Sequence, residues 1–320
     1  MRLAIALGVL LSAGILAYAV AAAPAQKAEA PPNPVQLGAG ATLGGRQVFP
    51  PDNPWNRDVS RDPVDPNSDN LIASIGVDKP LHPDFGVKYG IPYVVVPGTQ
   101  PKVPVSFQYA GESDPGPYPV PPDAPIEGGP DAKGDRHVLV IDRDRWVLYE
   151  LFAAFPEDGG KRWRAGSGAI FDLASNKLRP WGWTSCDAAG LPVFSGLVRY
   201  DEVCEQKALT HAVRFTCQKS RRAYVPPATH FASRSDDPNL PPMGMRVRLK
   251  AGYDTSKFPP AAQVILAGLK KHGMLLADNG SNWFVTGAPD PRWNDEELGT
   301  LKRIKGRDFE VVKMEGLRTR

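Results

Sequence analysis

The sequence predicts a mainly β protein, a β-sandwich or barrel-like core with two or three peripheral helices. Three observations carry this expectation. Short β-branched and aromatic runs recur from Ile91 to Val312. Proline and glycine are dense, 34 and 31 residues, and they punctuate the connections between those runs. Helical periodicity is confined to one short early segment and two late ones.

Each element has its own warrant. Phe49-Pro50-Pro51-Asp52-Asn53-Pro54-Trp55-Asn56 excludes a helix and favours an extended arm, pinned by Trp55. Asn70–Ile75, followed by Gly76, reads as a short helix. Ile91–Val96 and Val103–Phe107 read as strands whose prolines suit edges or ends. Residues 111–134 form a long Pro/Gly/Asp-rich loop that leads into His137, and ordered loops of that length tend to carry function. Val138–Ile141 and Trp146–Phe152 then form a hairpin. A two-residue loop at Arg143-Asp144 and a four-residue loop pairing Ile141 with Trp146 give the same register, which sets His137 opposite Glu150 on one face, Cβ atoms about 4.5–5.5 Å apart.

The glycines of Gly166-Ser167-Gly168 suggest a bulge or close backbone approach before Ala169–Leu173. Leu197–Val203 and Ala212–Thr216 follow as a strand pair, then Ala223–Val225 and Met245–Leu249. Pro259–His272 is an amphipathic helix closed by Gly273. Met274–Ala277, the turn Asp278-Asn279-Gly280-Ser281 and Trp283–Val285 read as a strand and its return. A second helix starts at the N-cap Asn294, and Phe309–Val312 is a last strand.

Met1-Arg2 and the apolar run from Leu3 to about Ala23 mark residues 1–25 as a secretory signal peptide; a retained anchor is the alternative, since about 20 apolar residues can span a bilayer. Residues 26–45, rich in Ala, Pro and Gly, read as a linker. That leaves 46–320 as one β-rich domain, secreted or periplasmic, with no stable membrane insertion after cleavage. Without Arg2 the chain holds 37 basic against 35 acidic residues, so nothing argues for nucleic acid. Cys186, Cys204 and Cys217 have no zinc-site spacing. An oxidising compartment permits a disulfide, with Cys204–Cys217 favoured by a shared candidate hairpin. Cys186 is either a nucleophile or a buried thiol.

Asp52-Asn53-Pro54-Trp55-Asn56, the segment from Gly166-Ser167-Gly168 to Tyr200-Asp201-Glu202-Val203, Pro241-Pro242-Met243-Gly244 and Ala277-Asp278-Asn279-Gly280-Ser281 resemble a group of secreted microbial proteins of unassigned function. Some of these are joined to carbohydrate-binding modules. The resemblance implies secretion and points to polysaccharide as the partner; it assigns no catalytic residue.

The residues themselves permit several chemistries. Glycoside hydrolysis needs a carboxylic acid and a second carboxylate; Glu150 beside His137 is the tuned candidate, with Asp172, Asp187, Asp201 or Glu202 as partner. A lyase would instead use His137 or His211 as base and Arg214 to neutralise a uronate. Trp163, Trp181 and Trp183 are either stacking surfaces or core. Alternatively His137, Glu150, His211 and His230 converge on a divalent metal, although no local spacing brings them together. Ser167, Ser185 and Ser195 are triad candidates without the full nucleophile-elbow context. A carbohydrate-binding or cell-surface domain without catalysis fits the composition equally well; a perturbed His–Glu pair in a cleft would favour an enzyme. The sequence leaves any cofactor unknown.

Overall fold

The computed structural model describes residues 34–319, so the signal peptide and the first part of the linker lie outside the described residues. In chain order the elements are β1 (Gly38–Ala39), α1 (Ser68–Ile75), β2 (His82–Asp84), β3 (Tyr93–Val96), β4 (Val105–Phe107), β5 (Val138–Asp142), β6 (Val147–Phe152), β7 (Phe155–Glu157), β8 (Arg162–Ala165), β9 (Ser167–Asp172), β10 (Val213–Cys217), β11 (Arg246–Leu249), α2 (Pro260–Lys271), β12 (Met274–Asn279), β13 (Phe284–Thr286), α3 (Asp295–Gly299) and β14 (Phe309–Val311). The protein is mainly β. No helix among the described residues is long and apolar enough to cross a membrane.

The strands form three sheets. The first runs β1-β3-β5-β6-β9, the second β14-β11-β12-β10-β13-β2, and the third β4-β8-β7. The pairings β3–β5, β10–β12, β2–β13 and β4–β8 are parallel. β5 is buried at every position because both faces of the first sheet are covered. Leu139, Ile141 and Leu148 face a large core that also takes Val213, Phe215 and Leu276 of the second sheet. Val138, Val140, Tyr149 and Leu151 face a smaller cluster with Trp163 and Ala165 of the third.

The β5–β6 register differs from the expected one. Leu139 lies opposite Glu150 and Asp142 opposite Val147. Asp142 Oδ1 accepts the backbone N–H groups of Asp144 and Arg145 at 3.1 and 2.9 Å, and Trp146 takes a left-handed conformation at φ 55°. The turn is thus organised by the Asp142 side chain, two residues further along the sum of partners than the loop-length argument gave. His137 continues the ladder toward Phe152, its ring 5.8 Å from the Phe152 ring. A shift of two preserves the alternation of faces, so His137 and Glu150 still point to the same side.

Four further expectations change. The linker stretch 34–45 joins the fold: β1 pairs with β3, and Leu43 is buried. Leu197–Val203 is no strand: it follows a 3₁₀ turn at Phe194–Gly196, makes one bridge from Val198 to Gly287, and runs into a π-helical turn at Asp201–Glu205. β12 and β13 are not hairpin partners, because β10 lies between them. All three cysteines are free, Cys204 sitting in the π-turn and Cys217 at the end of β10. α1 and α2 fall where their patterns put them; α3 starts at its expected cap, Asn294, which accepts from Glu296 N and Glu297 N, but is α-helical only to Gly299 before a 3₁₀ turn at Thr300–Arg303.

Candidate functional site

The centre of the candidate site is a buried ion pair. Arg214 projects from β10, and the Thr184–Gly190 loop brings Asp187 to it. Arg214 Nε donates to Asp187 Oδ2 at 2.9 Å, Nη2 donates to Oδ1, and Nη1 donates to Thr286 Oγ1 of β13 at 2.5 Å. Both side chains are almost wholly buried. Burial and the bidentate bond to Asp187 withdraw the guanidinium from solvent and neutralise its charge, so it is not placed to meet a uronate, which corrects that expected role.

His137 stands beside this pair at the start of β5. Its Nδ1 donates to Glu127 Oε2 at 2.7 Å and its Nε2 donates to the Cys186 carbonyl at 3.0 Å. Both partners are acceptors, so the ring carries both protons as an imidazolium. Burial opposes that charge, but Glu127 outweighs it and raises the pKa to about 9. His137 is therefore not a general base. Burial also pushes the Glu127 carboxyl up, and the bond and charge of His137 more than reverse this, holding it below its ordinary value. Glu127 keeps 27% of its side chain exposed and reaches solvent.

Glu150 lies on the same face but beneath the site. It is fully buried, and its two oxygens accept the backbone N–H groups of Val193 and Phe194 at 3.1 and 2.9 Å. Burial pushes it up to about 7 against those bonds. Cut off from solvent, it anchors the Val193–Phe194 turn.

Two further carboxylates stand here, and sequence reasoning passed over both, as it did Glu127. Asp278, at the end of β12, is partly exposed. Its oxygens accept from Ala188 N at 3.2 Å and Asn279 N at 2.6 Å. Burial pushes it up to about 6, with the Asp187 carboxylate adding to the rise and Arg214 opposing it. Asp84, at the end of β2 and opposite Thr286, is exposed and also raised, chiefly by burial. Glu127, Asp84 and Asp278 each feel the charge of Arg214.

The other expected residues lie elsewhere. Asp172 is exposed at the far end of β9, opposite Val147, where it caps its own turn by accepting from Ala174 N. Asp201 and His211 belong to a second buried cluster with Arg199 and Glu202. His211 Nε2 donates to Glu202 Oε1 at 3.0 Å and Nδ1 donates to the Ala212 carbonyl at 2.7 Å, so neither nitrogen is available as a base. Trp163 is core. Trp181 is 46% exposed, with Arg318 over its ring at 4.0 Å, and Trp183 is half-buried near Arg179. His230 Nδ1 donates to the Ala188 carbonyl at 2.8 Å. The metal set His137, Glu150, His211 and His230 does not converge, and no group of three His, Cys, Asp or Glu side chains among the described residues is arranged to hold an ion. Ser167 and Ser185 spend their hydroxyls on backbone carbonyls. Burial drives the Cys186 thiol well above its ordinary pKa, which excludes a ready nucleophile.

Beside the site runs a ladder of rings. Trp181 stacks on Tyr224 at 6.1 Å, Tyr224 on Phe231 at 6.2 Å, and Phe231 on His230 at 5.6 Å. His230 closes the ladder at Ala188, the residue whose N–H bonds Asp278. Compared with protein-family models, curated proteins and solved structures, the chain matches none.

Proposed function

We propose that the chain is a secreted, polysaccharide-acting enzyme, a glycoside hydrolase in which Asp278 donates the proton and Glu127 is the ionised partner. One observation carries this reading: two solvent-reaching carboxyl groups flank the same buried Arg214–Asp187 pair, and their surroundings drive them in opposite directions. Asp278 is raised to about 6 and Glu127 is lowered. A carboxyl group that holds its proton and a second that stays ionised, both at one site, are what cleavage of a glycosidic bond requires. Asp278 protonates the departing oxygen. Glu127, locked to the His137 imidazolium, supports the oxocarbenium-like centre or the attacking oxygen. Arg214 and Asp187 act as positioning residues, holding β10 against the Thr184–Gly190 loop from which Ala188 meets Asp278. The ring ladder from Trp181 to His230 supports a sugar substrate, since sugars lie against aromatic faces and edges.

The test is a panel of neutral and acidic polysaccharides, read both for new reducing ends and for unsaturated products, with Asp278→Asn and Glu127→Gln alongside the wild type. Each variant should lose about 10²–10⁴ of the rate while keeping the wild-type circular dichroism. Undiminished cleavage by Asp278→Asn, or products that are unsaturated, would overturn the assignment. Saturable binding to a polysaccharide without cleavage would favour a non-catalytic carbohydrate-binding domain instead.

A further inference from the structure

We propose that a small polar cavity beneath the N-terminal arm is a binding site for a small monoanion, of halide or carboxylate size, held by Arg199 and Ser195. The cavity measures about 20 Å³ and lies between Leu43–Asn56 and the turn that carries Ser195, Arg199 and Glu202; Arg46, Trp55 and His211 complete its wall. That volume suits a halide ion or one end of a carboxylate entering from the mouth. It opens between exposed residues, Gln47 on the arm and Gln206 and Thr210 beyond the π-turn.

The case rests on a count of donors against acceptors. Arg199 and Ser195 are 5% and 2% exposed, and among the described residues Arg199 Nε, Arg199 Nη1 and Ser195 Oγ have no hydrogen-bond partner. Arg199 Nε stands 3.5 Å from Asp201 Oδ1, outside a well-formed bond. The acceptors nearby are already engaged. Glu202 Oε1 takes Arg199 N at 3.1 Å and His211 Nε2 at 3.0 Å, and Oε2 takes Arg199 Nη2 at 2.6 Å. Asp201 Oδ2 takes Thr42 Oγ1 and Leu43 N, and Oδ1 takes Glu202 N. What the cavity offers is donors; Arg46 also lines it, but its guanidinium lies over the Trp146 ring at 3.8 Å and donates to the Arg143 carbonyl. Buried donors left unmade are costly, and a guanidinium makes its strongest bonds to an anion. A π-turn beside such a cluster fits the pattern, since these irregular turns gather at functional sites.

The experiment follows the melting temperature of the full chain during titration with sodium bromide and, separately, sodium formate, at constant ionic strength balanced with sulfate, which is too large for the cavity. Wild type should show a saturable rise with at least one of the two probes. Ser195→Ala removes a hydroxyl with no protein partner, so it folds, and it should need about ten-fold more anion for half-saturation. Saturation by both probes identifies a site open to inorganic halide; saturation by formate alone identifies a carboxylate site for an organic ligand. No saturable rise with either, or identical curves for wild type and Ser195→Ala, would overturn the proposal and leave the cavity to a bound water.

Discussion

Replacing His137 by Gln should flatten the alkaline side of the protein's stability curve. In the folded protein the ring donates from both nitrogens, to Glu127 at 2.7 Å and to the Cys186 carbonyl at 3.0 Å. Burial alone would discharge it; the Glu127 carboxylate instead raises its pKa from 6.5 to about 9. At about 1.4 kcal/mol for each pH unit, that difference amounts to about 3 kcal/mol. Because the folded-state pKa lies above the unfolded one, this contribution is fully present below pH 6.5 and is lost as pH rises through about 9. Glu127, held low by the same pair, stays ionised across that window. Urea unfolding at about pH 6 and about pH 9.5 measures the effect. Wild type should lose about 3 kcal/mol more than His137→Gln between the two conditions. Parallel losses would refute the imidazolium, and with it the claim that Glu127 is ionised because His137 is charged.

Three other outcomes follow from the same geometry. If Asp278 is the proton donor, the polysaccharide-cleaving rate should fall on the alkaline side with a midpoint near the Asp278 value of about 6, and Asp278→Glu should shift that midpoint without abolishing it. A methyl group at Gly196 would lie 2.7 Å from Arg214 Cβ and 2.9 Å from Trp55 Cζ3, so Gly196→Ala should cost about 1–3 kcal/mol by chemical denaturation. Glu202→Gln strips the counter-charge from buried Arg199 and should cost about 3–5 kcal/mol, seen as a lower denaturation midpoint at unchanged slope.

How far the sequence reaches is clearest at β5 and β6. Two β-branched and aromatic runs around a charged tetrapeptide mark the hairpin, and period-two reasoning then puts His137 and Glu150 on one face. The register was not, because it depends on the Asp142 side chain closing the turn and on a left-handed Trp146. Arg214 and Asp187 were recognisable as candidates by type, but only the crossover that places β10 between β12 and β13 reveals them as partners. Glu127 sits in a Pro/Gly-rich loop that has no periodicity to mark it. Asp278 was read as the first residue of an Asn-Gly turn, a signal that concealed its place at a strand end. Glu150 failed as a catalyst for a reason no local pattern carries: two backbone N–H groups some forty residues away close over it.

The parallel pairing of β2 with β13 also governs when this chain can become folded. His82 aligns with Phe284 at one edge of the second sheet, and Val64 bridges Val312 beyond β14 at the other, so both edges join segments more than about two hundred residues apart. Closing loops of that length before any contact rewards them is slow, and it requires the last strands to be made. β2 must therefore wait, unpaired, until β13 has been made. Loss of the final strands would leave β2 and the arm beneath it without partners, exposing the chain to aggregation and proteolysis rather than yielding a smaller working unit.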